Sequence, residues 1–123
     1  MSAIGPKVYT TLTGAAPVTA VAGTRIYPIQ RPQDSTLPAI SFLRIGGARG
    51  YAMDGDTGLE NISIQIDCWA DSLSASDALM NLVITAMTAE TTFSVYDITS
   101  IYETEEDGDF RVSRDFLLWN QEI

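Results

Sequence analysis

The chain has 123 residues, 46% of them hydrophobic and 19% charged, with 16 acidic residues against 7 basic ones and a formal net charge of −9. That size and balance predict one globular domain over residues 1–123, and exclude a disordered chain and a second domain. The charge disfavours nucleic-acid binding and attraction to an anionic membrane, because phosphate recognition needs clustered Lys and Arg, whereas Lys7 is the only lysine and the arginines are scattered.

In chain order, a short helical pattern covers Lys7 to Leu12, and Gly14 ends it. Pro17 suits the first turn of a second short helix to Ala22, with Gly23 as its C-terminal cap. Arg25-Ile26-Tyr27-Pro28 reads as a brief extended piece, followed by a polar loop from Gln30 to Thr36. Ala39 to Ile45 has strand composition. Gly46 to Gly58, with five glycines, predicts a long, flexible hairpin connection, an arm within the domain. Ile62, Ile64, Ile66 and Cys68 then alternate with Ser63, Gln65 and Asp67, which predicts a strand with one face in the core.

Ser74 to Ala89 predicts the long helix, with Ser74 and Asp77 as an approximate capping box and Ala75, Leu79, Leu82, Val83 and Ala86 as the buried stripe. Phe93 to Glu103 and Phe110 to Trp119 predict a second hairpin, joined by an acidic connection from Thr104 to Asp109 that contains Asp107-Gly108. Phe110, Val112, Phe116 and Leu118 share its core face, with Arg114 the polar exception. The expected fold is α+β: a mainly antiparallel sheet of two hairpins, about four strands plus the short extended piece, with one long helix and the N-terminal helical region on one face.

The chemistry-bearing residues are few. The chain has no histidine, which removes His-based nucleophilic catalysis, His-ligated zinc and the usual general base near neutral pH. Its single cysteine, Cys68, permits no intrachain disulfide and no multi-cysteine metal site, and its strand position reads as a small buried hydrophobe. Together with a start, Met1 to Pro6, that lacks signal-peptide character, this predicts synthesis in the cytoplasm and no membrane span.

Gly46-Gly47-Ala48-Arg49-Gly50 lacks the lysine and hydroxyl of a phosphate-binding loop. Asp54, Asp56 and Glu60 superficially resemble a calcium loop but miss the EF-hand spacing. No catalytic residue, metal ligand or cofactor site is expected. Trp69 and Trp119 both lie on the face opposite the apolar set of their strands, where they form either a second small cluster beneath the first helix or exposed aromatic anchors of an interface.

Five segments carry a family resemblance: Thr24 to Pro28, Leu37 to Ile40, Met53-Asp54-Gly55 with Gly58-Leu59, Gln65 to Ala70, and Phe110 to Phe116. In this order and spacing the chain resembles the tail-completion, or tail-terminator, proteins of long-tailed phages and phage-derived gene-transfer particles. The resemblance implies a structural virion protein at the tail–head interface, assembled in the host cytoplasm. As a hexameric ring it would cap the tail tube, stop its polymerisation and meet a head-side connector, while DNA passes through without specific binding.

Its implied partners are copies of itself, the major tail-tube protein and the neck. Contacts are expected from the arm (Arg49, Tyr51, Met53, Asp54, Asp56), from the acidic tip (Glu105, Glu106, Asp107), from Arg25, Arg31, Arg111 and Arg114, and from Trp69 and Trp119. Acidic loops meeting arginines across subunits suit the non-identical patches of a ring. Two alternatives remain open at this point: another neck component of the same particle, and a small metal-dependent hydrolase using Asp54, Asp56 and Glu60.

Overall fold

A computed structural model describes residues 4–28, 36–52, 55–90, 93–106 and 108–121, with backbone only at 47–52, 55–60, 100–102, 106 and 120–121. The elements in order are helices α1 (Ile4–Thr13) and α2 (Ala16–Ala22), strands β1 (Ile26–Pro28), β2 (Ala39–Ala52) and β3 (Gly55–Ala70), helix α3 (Leu73–Ala89), and strands β4 (Phe93–Glu106) and β5 (Asp109–Gln121). The strands form one five-stranded sheet in the order β1-β2-β3-β5-β4. All pairings are antiparallel except β1 with β2, where Ile26 stands against Ile40 and Pro28 against Phe42.

Alternation on β3 sorts the two sheet faces. Ile62, Ile64, Ile66 and Cys68 are buried on one face, where Val112, Phe116 and Leu118 of β5 stand in register with Cys68, Ile64 and Ile62. Ile40 and Phe42 of β2 extend that layer, and the helices cover it with Val8, Leu12, Val18, Leu79, Met80, Val83 and Met87. Each fully buried aliphatic side chain contributes roughly 1.5–3 kcal/mol relative to exposure.

Helix α3 departs from its expected cap and face. Its N-cap is Ser72, whose hydroxyl accepts the Ala75 amide at 3.2 Å, so the cap lies two residues before Ser74. The buried stripe is Ser76, Leu79, Met80, Val83 and Met87; Ala75 is exposed, and Leu82 and Ala86 are half-buried. The face turns because Ser76 is drawn inward: its hydroxyl donates to the Phe110 carbonyl at 2.7 Å, locking the helix to β5.

Two expected loops are strands. β2 runs through the glycines to Ala52 and β3 starts at Gly55, so the arm is a paired ribbon with Ala52 against Gly55. Main-chain pairing does not need side chains, and register shifts at Arg44/Gly46 and Arg49/Tyr51 take up the irregularity. Because β3 pairs with β5 from Leu59 onward, only the Gly55–Gly58 part of the ribbon projects beyond that pairing. The acidic connection likewise shortens: β4 continues to Glu106 and β5 begins at Asp109. Gly108 makes this turn at φ 85°, a left-handed conformation that suits glycine, and its amide donates to Glu105 Oε1 at 2.8 Å.

Candidate functional site

The sheet face turned away from the helices is built from cross-strand rows. Ser41, Asp67 and Ser113 stand side by side on β2, β3 and β5. All three are buried, although they lie on the polar face. The neighbouring row holds Ala39, Trp69, Arg111 and Thr104.

Trp69 donates its indole N–H to Ser41 Oγ at 3.2 Å, and the Arg111 guanidinium lies over its ring at 5.3 Å. Arg111 also donates to Thr104 Oγ1 at 3.2 Å and approaches Asp67 at 4.0 Å, while Gln65 donates to the other Asp67 oxygen at 3.2 Å. This end of the face is a closed polar network roofed by tryptophan. One atom within it has no hydrogen-bond partner, the buried Ser113 hydroxyl.

At the far end of the same face, Trp119 packs against Tyr96 with ring centroids 5.9 Å apart and planes tilted by 32°. The Tyr96 hydroxyl donates to Asn61 Oδ1 at 2.8 Å, reaching across β5 to β3. A register shift between Val95 and Asp97 puts Tyr96 at a bulge, which re-aims its side chain over this face. Both rings remain open to solvent, Tyr96 at 49% and Trp119 at 38%. A third feature lies at the opposite edge of the sheet: an apolar hollow of about 450 Å³ lined by Gly5, Pro6, Tyr9 and Thr10 of α1 with Pro28 and Phe42.

The expected contact residues separate accordingly. Trp69 and Arg111 come together, and Trp119 stands alone from them with Tyr96. Arg25 is used within the chain: its Nε donates to the Pro38 carbonyl at 2.7 Å and its Nη2 to the Val21 carbonyl at 3.3 Å, tying the end of α2 to the start of β2. Arg114 is half-buried and in register with the core residue Ile66. Glu105 braces the β4–β5 turn.

Arg31, Met53, Asp54 and Asp107 lie outside the described residues, as do the side chains of Arg49, Tyr51, Asp56, Glu60 and Glu106, which include the hydrolase carboxylates. Among the described residues, no group of three or more His, Cys, Asp or Glu could hold a metal ion, and no helix is long and apolar enough to cross a membrane. Cys68 is fully buried; desolvation, and secondarily the Asp67 charge, push its thiol well above its ordinary 9.0, so it stays protonated and unreactive.

Tyr96, Asn61, Asp67 and the hollow were not legible as site features. The bulge that aims Tyr96 depends on the β4–β5 register, and the hollow depends on how α1 lies against the sheet edge.

Comparison with known proteins gives this geometry a context. No curated protein matches the chain in sequence. A solved chain from the virion of a native gene transfer agent particle has the same fold at 19% identity, with a TM-score of 0.61 over 91% of this chain and 88% of that one. The sequence matches the family described as Tail completion protein gp17 over residues 6–119, a span that runs from α1 into β5. The chain belongs to the tail completion protein gp17 family of phage tail proteins.

Proposed function

We propose that this protein is a ring-forming tail terminator: copies of the chain close at the head-proximal end of the tail tube, stop its growth and offer the head-side connector a docking surface. The observation that carries this reading is the extent of the family match, because residues 6–119 take in the helices, the sheet and both hairpins rather than one grafted segment. The likeness to a chain of an assembled virion supports the same placement, as a component of the particle.

A small domain with marginal stability gains from burying surface against copies of itself. The net charge of −9 per chain suits a passage for DNA, since like charges keep the duplex from adhering to the wall. Contribution of shape and adhesive surface, with no bond-breaking step, is the whole of the proposed activity.

The test is removal of the gene from a producing strain. Overlong tails and unjoined heads are the expected products, and a plasmid copy restores normal particles. Joined particles with tails of ordinary length in the absence of the protein would refute the reading. Tails of correct length that fail only to join heads would assign the chain to the neck instead.

A further inference from the structure

The described surface carries an apolar projection and an apolar hollow at opposite ends of the strand order. The projection is the Tyr96–Trp119 pair on β4 and β5, exposed on the face away from the helices. The hollow lies between α1 and the β1–β2 edge, on the helix side. We propose that the projection of one copy seats in the hollow of the next, making the repeating contact of the ring. This rests on the ring reading above and specifies which surfaces build it.

Four observations support the pairing. The hollow, about 450 Å³ and lined by two prolines, Tyr9 and Phe42, matches aromatic side chains in chemistry and falls within the roughly 300–1,000 Å³ range of pockets that enclose small ligands. The projection is ordered before contact, because the Tyr96 hydroxyl is held by Asn61 and its ring by Trp119, so less side-chain freedom is lost on docking.

Charge agrees as well. Exposed Asp97 is adjacent to Tyr96, and exposed Arg44 follows Phe42 by two residues on β2, so the strands that carry the two patches bear charges of opposite sign next to them. Finally, projection and hollow are different patches on different edges. A contact between different patches is heterologous and propagates head to tail until rotation closes it, whereas a single self-complementary patch would stop at a dimer.

The experiment uses the full chain and two variants with single surface changes. Trp119→Glu spoils the projection, and Thr10→Trp fills the hollow from an exposed helical position. Native mass spectrometry and sedimentation should find ring-sized species for the unaltered chain and monomers for each variant. The concentration for half-assembly should rise at least about thirtyfold, as for loss of a central aromatic anchor. Circular dichroism melts at a concentration where the unaltered chain is itself monomeric should match it; if W119E melts early there, Tyr96→Ala replaces it.

Mixing the two variants is the decisive step. Each mixture contains one intact projection and one intact hollow, so one-to-one heterodimers should form, and nothing larger. Rings that persist in either variant, or a mixture that stays monomeric, would overturn the inference while leaving the ring reading standing. An unaltered chain that stays monomeric at every concentration would remove both.

Discussion

Two tryptophans end the same solvent-facing side of the sheet, and their surroundings differ in almost every respect. Trp69 is half-buried, donates to Ser41 and lies under the Arg111 guanidinium, which in turn reaches Asp67 and Thr104. Trp119 is exposed, with Tyr96 as its aromatic neighbour. Both sit on regular strands of alternating pattern, so residue type and strand position do not decide the difference. Cross-strand company decides it: a cation, a hydroxyl and a carboxylate in adjacent rows make Trp69 part of the domain's own structure, while an aromatic pair aimed outward by a bulge leaves surface for another molecule.

The comparison breaks first if truncation affects the two ends alike. Trp69→Ala is expected to cost about 2–4 kcal/mol in urea unfolding, near the lower range for loss of a packed tryptophan. Trp119→Ala should cost no more than about 1 kcal/mol of monomer stability, the scale of one aromatic contact, with its main effect on assembly. Equal losses would mean that the two environments are energetically the same.

Arg111→Ala should destabilise by about 1–3 kcal/mol, because it leaves the largely buried Asp67 carboxylate without its cation and uncovers the Trp69 ring. Chemical denaturation in low and high salt would show whether the ion pair or the ring contact dominates; loss of the destabilisation at high salt would favour the ion pair.

A smaller effect tests the orphaned hydroxyl in the closed network. Ser113→Ala should be neutral or stabilising by up to about 1 kcal/mol, since removing an unpaired buried polar group relieves its desolvation. A clear loss of stability would reveal a hydrogen bond that the static geometry lacks. Tyr96→Phe should be the mildest change, within about 0.5 kcal/mol, because its bond to Asn61 is exposed.

Between the two ends, Cys68 reports on the sheet through pH. The folded chain keeps a thiol proton that the unfolded chain gives up near its ordinary 9.0, so the unfolded state binds fewer protons above that pH. Stability should be full below about pH 8 and fall as pH rises beyond 9, and Cys68→Ala should flatten that part of the profile. An unchanged slope in the variant would assign the loss to other groups.

Much of the fold was legible because it rests on local signals. The alternation from Ile62 to Cys68 marked β3 and its buried face, and Gly23, with φ 60°, closes α2 where the sequence placed its cap. Long-range effects accounted for what was missed. Ser74 and Ser72 are equivalent as hydroxyl caps, and the long-range bond of Ser76 to Phe110 accompanies the rotation of α3 that leaves Leu82 half-buried and puts Met80 and Met87 in the core. The glycines of 46–58 lower strand propensity, but a long antiparallel partner outweighs them. The brief extended piece at Arg25 to Pro28 was legible and forms β1, but its parallel pairing with β2 carries no local signal. For the surface site, the sequence supplied both tryptophans but not their partners, because Arg111 meets Trp69 only through a register set across the whole of α3.

The strand order has a consequence for biosynthesis. β5, latest in the chain of the five strands, sits inside the sheet between β3 and β4 and pairs with β3 from Leu59 to Ala70. As the nascent polypeptide leaves the ribosome, the first hairpin and the long helix emerge with one β3 edge open and with Phe93, Val112, Phe116 and Leu118 still missing from the apolar layer. That intermediate cannot close until translation has passed Gln121, so it is exposed to edge-to-edge adhesion in the crowded polysome. A ribosome stall within the last strand should therefore yield insoluble product, whereas release after it should yield soluble chains.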